Sequence, residues 1–163
     1  MGTVGRLDAT SAKREWTVDP GFDLEAFLAR PLVARVATTG PTVRPVWYLW
    51  EEETFWWLTG EWSRLATLLS RDPEVALVVD SCDLHSGEVL QVVVRGAAEV
   101  VPFDNDRARR KLRRYLGPDE GAWDRRRFLE GTFQDSSVRF ARLSPRSLRA
   151  RDLSFRPSSS AAD

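Results

Sequence analysis

At 163 residues the chain suits one domain, and its 42% hydrophobic and 29% charged content is that of a soluble globular protein. Lysine plus arginine equals aspartate plus glutamate at 24 each, so no net field draws it to nucleic acid or an anionic membrane. One cysteine, Cys82, and one histidine, His85, exclude an intramolecular disulfide, a cysteine-built metal site and a histidine cluster around zinc.

In chain order, residues 1–20 read as a flexible polar leader, 21–155 as a single domain, and 156–163 as a disordered tail. No apolar run reaches the length of a membrane span, and the N-terminal residues lack the apolar stretch of a signal peptide. The expected location is the cytoplasm. A short helix is predicted over Asp23–Arg30, with Leu24, Phe27 and Leu28 on one face and Pro31 ending it. Strands follow at PLVARVATTG, at Thr42–Trp50 and at Thr54–Thr59, the last two forming a hairpin around Glu51, Glu52 and Glu53. Pro45 marks an edge position or a bulge, because it removes one ladder donor. A helix over Arg64–Arg71 ends at Asp72-Pro73, and EVALVVD makes the next strand.

The long strand Glu88–Phe103 carries Gly96, read as a kink or bulge. A basic amphipathic helix follows, with Asp104 as N-cap and Gly117 as its stop. A second helical piece is expected near Ala122–Leu129, and SVRFARLSP with SLRARDLSF supplies the final strand or two. Six or so strands without βαβ alternation predict a mainly β (α+β) fold: a small, mainly antiparallel barrel with peripheral helices.

Three features bear on function. Ser63 and Arg64 stand at the start of the helix whose Leu65, Leu68 and Leu69 form one apolar face. A helix N-terminus with an arginine beside it suits a phosphate, although an ordinary serine cap gives the same pattern. Five of the seven tryptophans lie between Trp47 and Trp62, where they serve as core, as a flat-ring pocket or as a dimer interface. In the hairpin Trp56 and Trp57 must face opposite ways, so one can be core while the other meets a partner. The basic helix RARRKLRRYLG is flanked by acidic residues and has a core-facing side at Leu112, Tyr115 and Leu116, which reads as a solvated helix. His85 and Cys82 read as loop residues without a catalytic part.

From Arg44 to Val101 the chain resembles the pyridoxamine 5'-phosphate oxidase-like superfamily of flavin- and deazaflavin-binding proteins. RPVWYLW resembles the family's Arg-x-Val strand, WWLTG its hairpin partner, SRLATLLSRDPEVALVV its Ser-Arg helix block, and LQVVVRGAAEV its Gln-containing long strand. The resemblance implies a six-stranded antiparallel split β-barrel, a homodimer with the cofactor cleft between subunits, and FMN or the deazaflavin coenzyme F-420 as cofactor. It implies that Arg44, Thr59, Ser63 and Arg64 hold the phosphate, that Gln91 touches the ring system, and that the backbone around Val46, Trp47 and Tyr48 borders the isoalloxazine.

Two positions depart from the family pattern: Leu49 and Leu65 stand where the oxidases have lysine. The C-terminal Arg-x-His element that grips pyridoxal phosphate is also missing after Leu143, which argues against pyridoxamine phosphate as substrate. The expectation is a flavin- or deazaflavin-dependent oxidoreductase passing hydride to a small molecule. The alternative is a non-catalytic carrier, a sensor or a cofactor-free dimer. Haem, with His85 as its one histidine ligand, ranks last. No metal, nucleic acid or membrane enters the reading.

Overall fold

The computed structural model describes residues 13–158. The remainder of the predicted leader and tail lies outside the described residues. Eight strands are present: β1 (Glu15–Val18), β2 (Val33–Thr38), β3 (Thr42–Glu51), β4 (Thr54–Thr59), β5 (Glu74–Asp83), β6 (Glu88–Val101), β7 (Arg139–Leu143) and β8 (Ser147–Asp152). They run in the order β1-β8-β6-β5-β2-β3-β4-β7, and a further pairing of β6 with β7 closes six of them into an antiparallel barrel. The predicted architecture is therefore observed, with β8 and β1 added outside it. Among the described residues no helix is long and apolar enough to cross a membrane.

β1 corrects the reading of residues 1–20 as leader throughout. Glu15–Val18 pairs in parallel with Ser147–Ala150. Trp16 packs against the core, and its Nε1–H donates to the Pro145 carbonyl at 3.3 Å. A short polar strand has no signature of its own; the exposed edge of β8 makes it one.

Alternation along each strand fills the barrel. Tyr48, Trp50, Phe55, Trp57, Leu77, Val79, Val92 and Val94 point inward and are buried together. The outer face of β3, β4 and β7 offers Leu49, Trp56 and Phe140 to Ala108 on α3 (Asn105–Leu116). Trp56 and Trp57 thus face opposite ways as expected, but both are buried. Trp56 is covered by the Arg107 guanidinium, 3.7 Å above its ring, so neither indole is left for a partner.

α1 (Leu24–Leu28) starts at Asp23, whose carboxylate accepts from the Ala26 N–H, and α3 starts at Asp104, which accepts from Arg107. Gly117 ends α3 at φ 90°, a conformation that costs a residue with Cβ. After it come a 3₁₀ turn (Glu120–Ala122), a π-helical turn (Arg125–Glu130) and the single turn α4 (Gly131–Phe133) in place of the one helical piece expected there.

Gly96 is not a bulge. The β5–β6 register runs unbroken from Glu74↔Ala97 to Asp83↔Glu88. At Gly96 β6 passes from partner β8 to partner β7, and a Cβ there would lie 3.0 Å from Leu143 Cδ1 and 3.1 Å from the Ser144 carbonyl. Glycine serves close approach of the β7–β8 turn.

The β3–β4 hairpin closes on Glu51↔Thr54 with Glu52 and Glu53 at φ 52° and 54°. Two successive left-handed residues define the turn that favours Asn-Gly. The double variant Glu52→Asn, Glu53→Gly is expected to raise unfolding stability by about 1 kcal/mol, read from a thermal or urea midpoint. The exposed Arg14–Glu53 pair it removes contributes little.

Candidate functional site

The barrel opens where β3 and β4 part. The two strands pair only from Tyr48↔Trp57 to Glu51↔Thr54. Before that point Thr42–Trp47 is paired with β2 alone, and beyond it Leu58 and Thr59 pair with β7. Pro45 explains part of this. The Tyr48 N–H points to the β2 side, where it meets the Tyr115 hydroxyl at 3.0 Å. Backbone directions alternate along an antiparallel strand, so Val46 and Arg44 point there too and Pro45 faces the split. Its missing N–H costs no ladder bond in that position, and no neighbour strand can be completed there.

Helix α2 (Leu65–Arg71) plugs the split with Leu65 and Leu69, both buried. Above them a cavity of about 510 Å³ remains, within the range of about 300–1,000 Å³ usual for ligand pockets. Arg44, Val46, Thr59, Ser63 and Arg64 all line it. Five of the eight predicted cofactor positions are therefore brought together by the fold.

Their hydrogen bonding leaves capacity for an anion. The Ser63 Oγ accepts from the Leu65 N–H at 3.1 Å and from the Thr59 hydroxyl at 3.2 Å. With both lone pairs engaged, its single hydrogen is directed outward as a donor. Arg44 forms no ion pair among the described residues, and its Nη1 is buried without any hydrogen-bond partner. A buried guanidinium nitrogen with no acceptor is costly, and an anion in this cavity would supply one. Trp57, also on the cavity, has an unpartnered buried Nε1–H. Arg64 is exposed at the rim.

The other three predicted residues are elsewhere. Trp47 points outward from β3 and stacks with Tyr115, 4.6 Å away between ring centres, and with Phe128, 5.7 Å away. The Tyr48 side chain is core; its backbone N–H donates to the Tyr115 hydroxyl, whose single hydrogen is shared between the Leu32 carbonyl at 2.7 Å and the Tyr48 carbonyl at 3.0 Å. Gln91 lies on the outer face of β6, opposite Asp80 and Arg151, in a separate concavity with Arg95 and Arg149. Of the two leucines in lysine positions, Leu65 lines the cavity while Leu49 is buried under α3, away from it.

Sequence reasoning saw Gly60 as part of a polar cluster and Trp62 as one of several tryptophans, but missed the packing of one on the other. The Trp62 ring folds back over Gly60, where a Cβ would lie 2.1 Å from it, and it forms one wall of the cavity while remaining 63% exposed. A glycine two residues before an aromatic residue was the available signal.

The sequence model of one family, pyridoxamine 5'-phosphate oxidase, matches residues 23–140, which include every residue of this cavity. The chain belongs to the pyridoxamine 5'-phosphate oxidase family. A search of the curated proteins finds no match. Among solved structures, a conserved hypothetical protein from Mycobacterium tuberculosis is similar at 22% identity and TM-score 0.62, covering 84% of this chain and 91% of that one. The heme storage protein HutZ from Vibrio cholerae is similar at 17% identity and TM-score 0.57, over 74% of this chain and 86% of that one. A structure described as an F420 reductase follows at 22% identity and TM-score 0.53, over 78% and 96%. These likenesses establish the split-barrel fold of the pyridoxamine 5'-phosphate oxidase family for this chain. The phosphate-end residues that the resemblance implied share one cavity; the ring-end residues Trp47, Tyr48 and Gln91 do not.

Proposed function

We propose that this member of the pyridoxamine 5'-phosphate oxidase family is a cytoplasmic flavin- or deazaflavin-dependent oxidoreductase. One observation carries the reading: the unpaired, partly buried guanidinium of Arg44 in a cavity where two hydroxyls and a second arginine converge. Arg44 holds the phosphate of FMN or F-420, the Ser63 hydroxyl donates to it, and Arg64 closes over it from solvent. When bound, the cofactor supplies the hydride chemistry, and the protein positions it, excludes water and shapes the acceptor site. The similarity to an F420 reductase supports a deazaflavin as readily as FMN. Haem is disfavoured, since His85 is exposed in the β5–β6 turn, outside the cavity.

The working unit in this reading is a homodimer. Trp62 and Val43, 63% and 67% exposed beside the cavity, are apolar surface for a second copy to cover. Gln91 lies on the outer face of its own barrel, so a contact with the ring system would be made across the subunit boundary.

Absorption spectra of the purified protein, followed by titration with FMN and with F-420, test the assignment. Saturable binding of one of them is expected, and a protein that binds neither removes the reading. Dilution to nanomolar concentration should release cofactor as the dimer dissociates; release from an intact dimer would assign the cleft to one chain. A carrier or sensor role is the second reading, favoured by Leu65, which puts an apolar side chain where the family has a second cation. It predicts a bound cofactor that passes electrons to quinone acceptors no faster than the free cofactor does.

A further inference from the structure

A second cavity, of about 370 Å³, lies between α3, the π-helical turn and β4. Lys111 is on its wall. This lysine is only 3% exposed and forms no hydrogen bond or ion pair among the described residues. Its Nζ lies 5.7 Å from the centre of the Trp47 ring and 5.8 Å from that of Tyr115, at the outer limit of a cation–π contact. Every other basic residue from Arg107 to Arg114 has a partner: Arg107 and Arg110 reach Glu51, Arg109 and Arg113 reach Glu120, and Arg114 donates to the Leu28 carbonyl. Lys111 alone is left over, in the most buried place.

We propose that this cavity is a second ligand site, taking a flat aromatic or conjugated organic acid with its carboxylate on Lys111. Buried ammonium groups without a partner are rare because desolvation is costly, and a ligand carboxylate removes that cost. Phe128, Leu58 and Leu112 present ring and methyl surface for the apolar body of the acid, and Thr132 adds a hydroxyl. A single negative charge suits the site better than a phosphate dianion, since Asp135 stands on the same wall with its carboxylate accepting from the Ser137 N–H. Arg127 and Asp135 are the other charged groups lining the cavity. The π-helical turn that supplies Arg127 and Phe128 is a rare conformation that recurs at functional sites. Burial brings the Lys111 ammonium down to about 7, so the empty site is easily discharged and a bound carboxylate restores its proton.

Leu58 and Trp62 line this cavity and the one at the split. An acid held here sits against the wall of the proposed cofactor site, in the place of a reducible substrate. That last assignment rests on the cofactor reading; the acid site does not.

Sodium benzoate and benzamide are the probes, titrated into the full chain at pH 7 and followed by tryptophan fluorescence and calorimetry. Benzoate is expected to bind saturably and at least about tenfold tighter than benzamide. Its heat should vary with the ionisation enthalpy of the buffer, because a proton is taken up. In Lys111→Met the two probes should bind alike, with the fold checked by circular dichroism. In Arg44→Met benzoate should bind as in the parent while FMN is weakened, so the two readings fail separately. As a second measure, in protein grown on ¹³C-labelled lysine, the Lys111 Cε resonance should show its pKa raised by benzoate. Equal binding of the two probes, a benzoate preference that survives in Lys111→Met, no saturable benzoate binding, or an unmoved Lys111 resonance each overturns the proposal.

Discussion

Replacing Arg44 with methionine weakens FMN binding by about 1.5–3 kcal/mol, while the cofactor-free protein unfolds at the same temperature as the parent or a higher one. The opposite signs follow from one fact: Arg44 Nη1 is buried and has no acceptor in the chain. With an anion bound, the substitution removes a charge-assisted contact; without it, the same substitution removes an uncompensated charge. A structural arginine would behave otherwise, since its loss would lower the unfolding midpoint and leave the titration curve in place. Arg64→Ala should cost less, about 1 kcal/mol or below, because Arg64 is exposed and its field is screened by water. Parallel FMN titrations and thermal melts on the two variants decide the matter. An unchanged FMN titration in Arg44→Met removes the phosphate site from this corner of the barrel.

Replacing Lys111 with methionine stabilises the protein at pH 6 and ceases to do so in alkaline solution. Burial lowers the folded pKa of Lys111 from 10.5 to about 7, and no charge partner raises it again. Between those values the unfolded chain holds a proton that the folded chain has released, so the lysine's unfavourable contribution shrinks as pH rises. Below about 7 both states are charged and the whole cost of burying the ammonium is present. A shift of this size corresponds to at most about 5 kcal/mol. The gain from Lys111→Met is therefore largest at and below neutrality and vanishes near the pKa of the unfolded lysine. Tyr115, held up to about 12 by burial, titrates in both proteins and cancels in the difference. Urea unfolding of parent and variant at a series of pH values measures it. A gain that does not change with pH would show that the side chain finds a compensating partner.

Much of the fold was legible because its signals are local. Asp23 and Asp104 cap helices with their own side chains, Gly117 supplies the one backbone conformation that ends α3, and Pro45 announces a strand edge without needing to know which edge. Alternation placed Trp56 and Trp57 on opposite faces of β4. The order of motifs from Arg44 to Val101 was enough to expect Arg44, Thr59, Ser63 and Arg64 around one cavity, because they flank a single strand–turn–helix and its neighbour strand.

Other outcomes depended on contacts between distant segments. Gln91 and the inward-facing Val92 differ by one position on β6, and only the closure of the barrel decides which of the two faces is inside. Trp47 looked available to a flat ring until Tyr115 and Phe128, from a distant part of the chain, stacked against it. β1 exists because β8 leaves an edge beside it. Lys111 is the sharpest case. It sits three residues after Ala108 and four before Tyr115, on the buried stripe of a helix that reads as solvated and basic. The sequence reading put the core-facing side at Leu112, Tyr115 and Leu116 and passed over the lysine beside them. Its meaning appeared only when the π-helical turn folded over it and left a cavity at its tip, since burial and the absence of an ion pair are properties of packed neighbours and not of sequence.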